Sequence, residues 1–392
     1  MTQTKVEAPF VENCRHFRNF IINGDMNIWQ RATSATTATD GGYNTVDRWH
    51  NVFYSTAGAM TSEREALSVA DQATTGQRTA LELNVTTADG TIGASQFAAI
   101  YHPIEAQFLQ HILYGTSAAK DLTLSFWVKS NKTGTYCVAI DKNDNTAYRL
   151  PIEYTISSAD TWEKKVIHIS PTAGSTSLIT ASGAAIDNDN GTGMLVTFAL
   201  AWGSNYQGTN NTWVTGNAYS TSNQVNWMDS TSNNFYITGV QLEVGDTATD
   251  FEHLPHDVQL RSCHRYYQYL IKTISGSAKN FPIVQYQANF RALALSFLTE
   301  MRAAPTFTID NYNSFSAFNG SDITVNTLMA YEDVFNTFLT NPYDDNELKG
   351  SGLYDLDGYA YISPSWAMHD IAALGEFYGL RDDYNDEDNY YT

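Results

Sequence analysis

Basic residues are scarce in this chain of 392: against 42 Asp and Glu stand 22 Lys and Arg, a formal net charge of −20. A phosphate backbone would be repelled by such a surface, so nucleic-acid binding is not expected. Cysteine is scarcer. Cys14, Cys137 and Cys263 are each separated by more than a hundred residues, which is neither a disulfide framework nor a zinc spacing. Long hydrophobic runs are missing as well. No stretch approaches the ~18 apolar residues of a helical membrane span, and the opening "MTQTKVEAPFVENCRHF" lacks the apolar centre of a secretion signal. A chain made in a cytoplasm, without membrane insertion, is the expectation.

What is present favours strands. The apolar share is 43 %, and Thr, Ser, Asn, Gly and Asp dominate the rest, a mix suited to strands and tight turns. The length exceeds what one hydrophobic core usually serves, so two folded units are expected. In "DLTLSFWVK", Leu122, Leu124, Phe126 and Val128 share one face while Thr123, Ser125 and Lys129 share the other, the period of a half-buried strand. "KKVIHIS" (164–170), "MLVTFALAW" (194–202), "FYITGVQLEV" (235–244), "PTFTI" (305–309) and "DITVNTL" (322–328) read likewise. Many short strands without long intervening helices point to an all-β fold, an antiparallel sandwich. No 20–50-residue repeat is visible, which disfavours a solenoid.

The strand pattern breaks at "EHLPHDV" (252–258). Beyond it, Val258 or Leu260, Cys263, Tyr266 or Tyr267, and Leu270 recur at three- and four-residue steps, predicting a linker segment at 256–272 built on a short amphipathic helix, with Asp257 just ahead of the helix as N-cap.

Reactive-looking letters are weighed against their spacing. His253, His256, Cys263 and His264 could supply zinc ligands, but adjacent Cys263 and His264 point about 100° apart on a helix and would not converge. The runs from Asp141 and Asp187 resemble calcium loops but hold Thr146 and Thr192 where glycine is needed, and Ile152 and Phe198 where glutamate is needed. Asx-rich turns explain both. Glu243 could partner another acid in a glycosidase cleft, yet no recognisable acid pair, nucleophile signature or phosphate loop appears. No enzyme and no metal site are expected.

Aromatic residues make up 13 % of the chain. In "AWGSNYQGTNNTWVTGNAYSTSNQVNWMD" (201–229), Trp202, Tyr206, Trp213, Tyr219 and Trp227 stand among amides and hydroxyls. That is the composition of a glycan-contacting loop, and equally of a loop packed on its own sandwich or on a neighbouring subunit. Trp29 and Trp49 read as framework.

The stretches "FIINGDMNIWQRAT" (20–33), "YNTVDRWH" (43–50), "IYHPIEAQFLQHILYGTSAAKDLTLSFWVKS" and above all "NFYITGVQLEVGDTATDFEHLPHDVQLRSCHRYYQYL" resemble, in order and spacing, a carbohydrate-binding-like jelly roll of tailed-bacteriophage tail fibres and receptor-binding proteins. "FPIVQYQANFRALALSFLTEMRAAPTFTI" (281–309) is similar to that family's next β-domain. The resemblance implies an N-terminal arm for virion attachment (1–19), a jelly roll (20–255), a linker helix (256–272), a smaller C-terminal β-domain (273–381) and an acidic tail (382–392). It further implies a non-enzymatic virion adhesion protein at the tail or particle surface, made in the host cytoplasm and partnered by other virion proteins and host-surface glycan. The five loop aromatics would bind the glycan. A homotrimer would form through Cys263, Tyr266, Tyr267 and Leu270. No cofactor is expected beyond a structural Ca2+ on Asp25 and Glu243, as related sugar-binding jelly rolls hold. The rival expectations are a structural virion component without a ligand, and a polysaccharide depolymerase.

Overall fold

The computed structural model describes residues 17–37, 41–54, 56–268 and 298–303, together with the backbone of short strands between 284 and 362. The chain divides into two units, Met1–Cys263 and His264–Thr392. The first is an antiparallel β-sandwich of jelly-roll type. Its six-stranded sheet comprises β1 (Ser34–Thr37), β3 (Ala59–Ala66), β4 (Thr79–Thr87), β11 (Asn234–Val244), β6 (Leu122–Lys129) and β9 (Glu163–Ile169), in that spatial order. The five-stranded sheet runs β2 (His50–Tyr54), β5 (Phe97–Glu105), β10 (Thr192–Trp202), β7 (Gly134–Lys142) and β8 (Tyr148–Ile156).

Alternation places the core. Leu122, Leu124, Phe126 and Val128 are all buried on the inner face of β6, and Met194, Val196, Phe198 and Leu200 meet them from β10. Phe126 and Phe198 join the sheets edge to face, ring centroids 5.0 Å apart and planes at 79°. Each such fully buried side chain contributes ~1.5–3 kcal/mol. Along β11 the alternation shifts at a bulge between Thr238 and Gln241, where Gly239 takes φ 61°, a left-handed conformation that favours glycine. Ile237, Val240 and Leu242 thereby all reach the core, while Gln241 and Glu243 bond the segment at 249–252. That segment also fastens the start of the described chain, since Glu252 accepts from the Phe17 and Asn19 amides at 2.8 and 3.1 Å.

The predicted linker helix is shorter than its apolar spacing suggests and belongs to the sandwich. It spans His256–His264, and its inward residues are Gln259 and Cys263. Gln259 Nε2 donates to Asp25 Oδ1 at 2.7 Å, an attachment invisible to a hydrophobic count. In the second unit the described strands form an antiparallel four-stranded sheet, β12 (Val284–Gln287), β13 (Phe290–Ser296), β15 (Asn336–Leu339) and β14 (Leu328–Ala330), and a pair, β16 (Leu353–Leu356) and β17 (Tyr359–Ile362). The predicted strand 305–309, residues 322–327 of its successor, the acidic tail and residues 1–16 of the arm lie outside the described residues. No helix among the described residues is long and apolar enough to cross a membrane.

Candidate functional site

The outer face of the five-stranded sheet carries the site, and its rows follow from strand register. Tyr54 pairs with Phe97, Val52 with Ala99, and His50 with Tyr101. The same β5 residues pair with Trp202, Ala199 and Thr197 of β10. Cys137, Ala139 and Asp141 extend the rows across β7. Small residues form the floor and rings stand above it. The result is a cleft of about 280 Å³ lined by Tyr101, Asp141, Thr197, Trp202, Tyr206 and Tyr219 among others.

The rings form a ladder. Tyr54 stacks on Phe97 (5.5 Å, 17°), Phe97 on Trp202 (4.3 Å, 12°), and Trp202 on Tyr219 (4.5 Å, 15°). The Arg149 guanidinium caps Tyr219, 5.1 Å from its ring centre, where a cation meets the negative ring face. Tyr206 crosses the ladder at 77° to Trp202, centroids 5.1 Å apart. On the other side of the cleft His50 and Tyr101 stack at 4.6 Å. Burial, then the neighbouring Tyr43, pushes the Tyr101 hydroxyl up to about 12, so it remains an O–H donor at neutral pH.

Two polar atoms of lining residues are left without hydrogen bonds. Trp202 Nε1 is buried with no partner, and so is Asp141 Oδ1, although Arg149 Nε stands 3.5 Å from that oxygen. The other Asp141 oxygen accepts from the Tyr219 hydroxyl at 3.3 Å. Burial raises the Asp141 pKa, and the Arg149 charge partly offsets this. A buried donor or acceptor left open costs ~1–3 kcal/mol, and both atoms are enclosed by the residues around them.

The structure separates the five loop aromatics. Trp202, Tyr206 and Tyr219 come together at the cleft. Trp213 and Trp227 are core residues instead, 1 % and 0 % exposed. Each indole N–H is already bonded inward, to the Ser170 carbonyl at 2.8 Å and the Asn234 carbonyl at 2.9 Å. Nor can Trp202 offer a ring face, since Phe97 and Tyr219 cover both. Phe97 and Tyr101 escaped sequence reading because "QFAAIYHPIE" is apolar on both faces. Its signal was the alternation of large and small residues, Phe97, Ala99, Tyr101, on the face opposite Ala98, Ile100 and His102.

Both carboxylates of the expected calcium pair are bonded within the protein. Asp25 accepts from Gln259 and Asn27, and Glu243 accepts from Gln241 and from the amide and hydroxyl of Thr249 at 2.9, 2.8 and 2.7 Å. Protein donors thus occupy both carboxylates. No group of three His, Cys, Asp or Glu residues among the described residues could hold a metal. The two Asx-rich runs meet through turns, with Asp144 accepting from the Asp187 amide at 2.6 Å and Asn145 donating to Asp187 at 3.1 Å. Cys263 is 1 % exposed, packed within its own unit where burial pushes its thiol well up, so it is not available to a trimer interface. Tyr266 and Tyr267 are half-buried, and Leu270 lies outside the described residues.

No protein-family model and no curated protein matches the chain. Solved structures with similar folds include a protein of Bacteroides thetaiotaomicron proposed to bind sugar (12 % identity, TM-score 0.33, covering 58 % of this chain and 100 % of that one). The enzymatically active domain of tailspike protein 4 from bacteriophage CBA120 matches at 14 % identity and TM-score 0.27, over 58 % of this chain and 22 % of that one. The family 11 carbohydrate-binding module of a cellulosomal cellulase of Clostridium thermocellum matches at 12 % and 0.26, over 54 % and 95 %. Likenesses this distant assign no ligand. The sandwich is defined by its own strand order and core.

Proposed function

We propose that the chain is a phage virion adhesion protein whose sandwich binds a host-surface glycan in the cleft over β2, β5 and β10. The observation that carries this reading is a cleft on the outer face of the five-stranded sheet that is rimmed by aromatic rings and carries Tyr101, Thr197 and Asn217 as polar lining residues. Sugars present C–H surfaces to rings, and hydroxyls that both donate and accept. The virion role is supported by the ordered motif series from "NGDMNIWQR" to "CHRYYQYL". Asp141 is the single carboxylate lining the cleft, whereas glycoside cleavage ordinarily uses two, so binding without cleavage is the reading adopted. A homotrimer, assembled beyond the buried Cys263, would multiply weak sugar contacts across copies on one particle.

The test is a glycan array on the full chain, run beside Tyr101→Ala and Asp141→Asn. Binding that falls at least tenfold in both variants supports the proposal. No binding by the wild type, or full binding by both folded variants, overturns it.

A further inference from the structure

The segment that follows β10 does more than supply rings. It turns back over β7 and β8 and is fastened there along its length. Gly203 opens it, held against the loop before β5, with its amide on the Gln96 carbonyl at 2.8 Å. A Cβ at this position would lie 2.1 Å from the Gly93 carbonyl oxygen, so glycine alone permits the approach. The Asn211 amide reaches the Pro151 carbonyl at 2.8 Å, Val214 exchanges both backbone bonds with Arg149, and the Val225 amide meets the Thr135 carbonyl at 2.9 Å. Thr221 and Asn223 close on Glu153 at 2.5 and 3.0 Å. Beneath this cover the outward residues Cys137 and Ala139 are completely buried. The half of the face over β2, β5 and β10 is left to the cleft, with Asp141 from the end of β7 at its edge.

A second barrier stands at right angles to the first. The ladder Tyr54, Phe97, Trp202, Tyr219 crosses the strands one ring per position, so it fences the cleft against anything running along the strands past that row. The cleft is therefore a corner, not a trough. Neighbouring strands lie ~4.8 Å apart, so the uncovered strip from β2 to β10 is about 10 Å wide. The cavity of 280 Å³ also falls at the small end of ligand sites, which run ~300–1,000 Å³.

Resting on the glycan reading above, we infer that the cleft takes the last one or two residues of a glycan end-on and refuses an internal stretch of chain. The covering segment stops the glycan on the β7 side and the ring ladder stops it along the strands. The terminal ring lies among Tyr101, Thr197 and Asn217, which line the corner. The partner class is thus the tips of linear or branched host polysaccharides.

The test is calorimetric titration of the full chain with a size series of two to eight residues, prepared from a linear capsular or cell-wall polysaccharide that retains the protein on a column, and with the intact polymer. End-on capture gives dissociation constants equal within about threefold across the series, and one protein bound per chain end on the polymer. Affinity that climbs more than tenfold with length, with several proteins bound along each linear chain, overturns the end-on inference while leaving the glycan reading in place. Failure of every host polysaccharide to retain the protein overturns both.

Discussion

Trp202 lies between Phe97 and Tyr219 with both faces of its indole covered, 4.3 Å from one ring and 4.5 Å from the other. A tryptophan so placed packs like a core residue, its N–H buried, while its ring forms part of the wall of a cleft. Structure and recognition are therefore joined in one side chain, and substitution can pull them apart. Trp202→Ala removes the middle of the ladder and should cost about 3–5 kcal/mol of stability, as large-to-small aromatic changes do. Trp202→Phe keeps the stack but not the donor. Its melting temperature should fall less than that of Trp202→Ala, and its glycan affinity should stay closer to wild type because the ring that walls the cleft is kept.

The helix His256–His264 is attached through the buried Gln259 and Cys263, and its buried polar bond is the Gln259–Asp25 pair. Gln259→Ala leaves Asp25 Oδ1 without the donor it has at 2.7 Å. Urea unfolding should show a loss of about 1–3 kcal/mol, the cost of an unanswered buried acceptor. Replacing the exposed Val69 (84 % exposed) by Ala should leave stability within about 0.5 kcal/mol of wild type.

Asp47 gives the fold a pH dependence of known sign. Burial pushes its carboxyl up to about 6, against the pull of Gln30 and the Arg31 guanidinium at 2.9 Å. Between its unfolded value near 3.8 and about 6 the native state holds the proton more tightly, so its contribution to stability is present at low pH and lost as pH rises through 6. Two pKa units correspond to at most about 3 kcal/mol. Asp47→Asn should lack this decline, and the difference between the two pH profiles of unfolding free energy is the readout. Parallel profiles from pH 4 to 7 would contradict the assignment.

The thiols of Cys137 and Cys263 should be silent in the native protein. Both are buried, and burial raises Cys137 to about 11 and pushes the Cys263 thiol well up, so neither forms appreciable thiolate at pH 8. Iodoacetamide followed by peptide mapping should mark them only after unfolding.

Much of the sandwich was legible because its signal is local. In β6 the period-two run named its own inward face, and Leu122, Leu124, Phe126 and Val128 are fully buried. The same reading located β9, β10 and β11 within a residue or two. The site was far less legible. Its walls come from β2, β5, β7, β10 and the segment after β10, brought together by register that no single stretch encodes. Loop composition grouped Trp202 with Trp213 and Trp227, because nothing local distinguishes an indole whose N–H finds a distant carbonyl, Ser170 or Asn234, from one whose N–H finds none. The helix, likewise, is held by a glutamine–carboxylate bond across 234 residues, where the apolar spacing pointed to Tyr266, Tyr267 and Leu270.

The central claim is that a glycan sits in the corner bounded by Tyr101, Asp141 and Trp202. A crystal structure of the full chain with its best-binding oligosaccharide bound measures this directly. The account predicts the terminal ring in that corner, a hydroxyl within 3.2 Å of the Tyr101 hydroxyl or the Asn217 amide, and the remaining residues leading out into solvent. A glycan lying instead on the outer face of the six-stranded sheet, or stretched unbroken over β7 and β8, would contradict it.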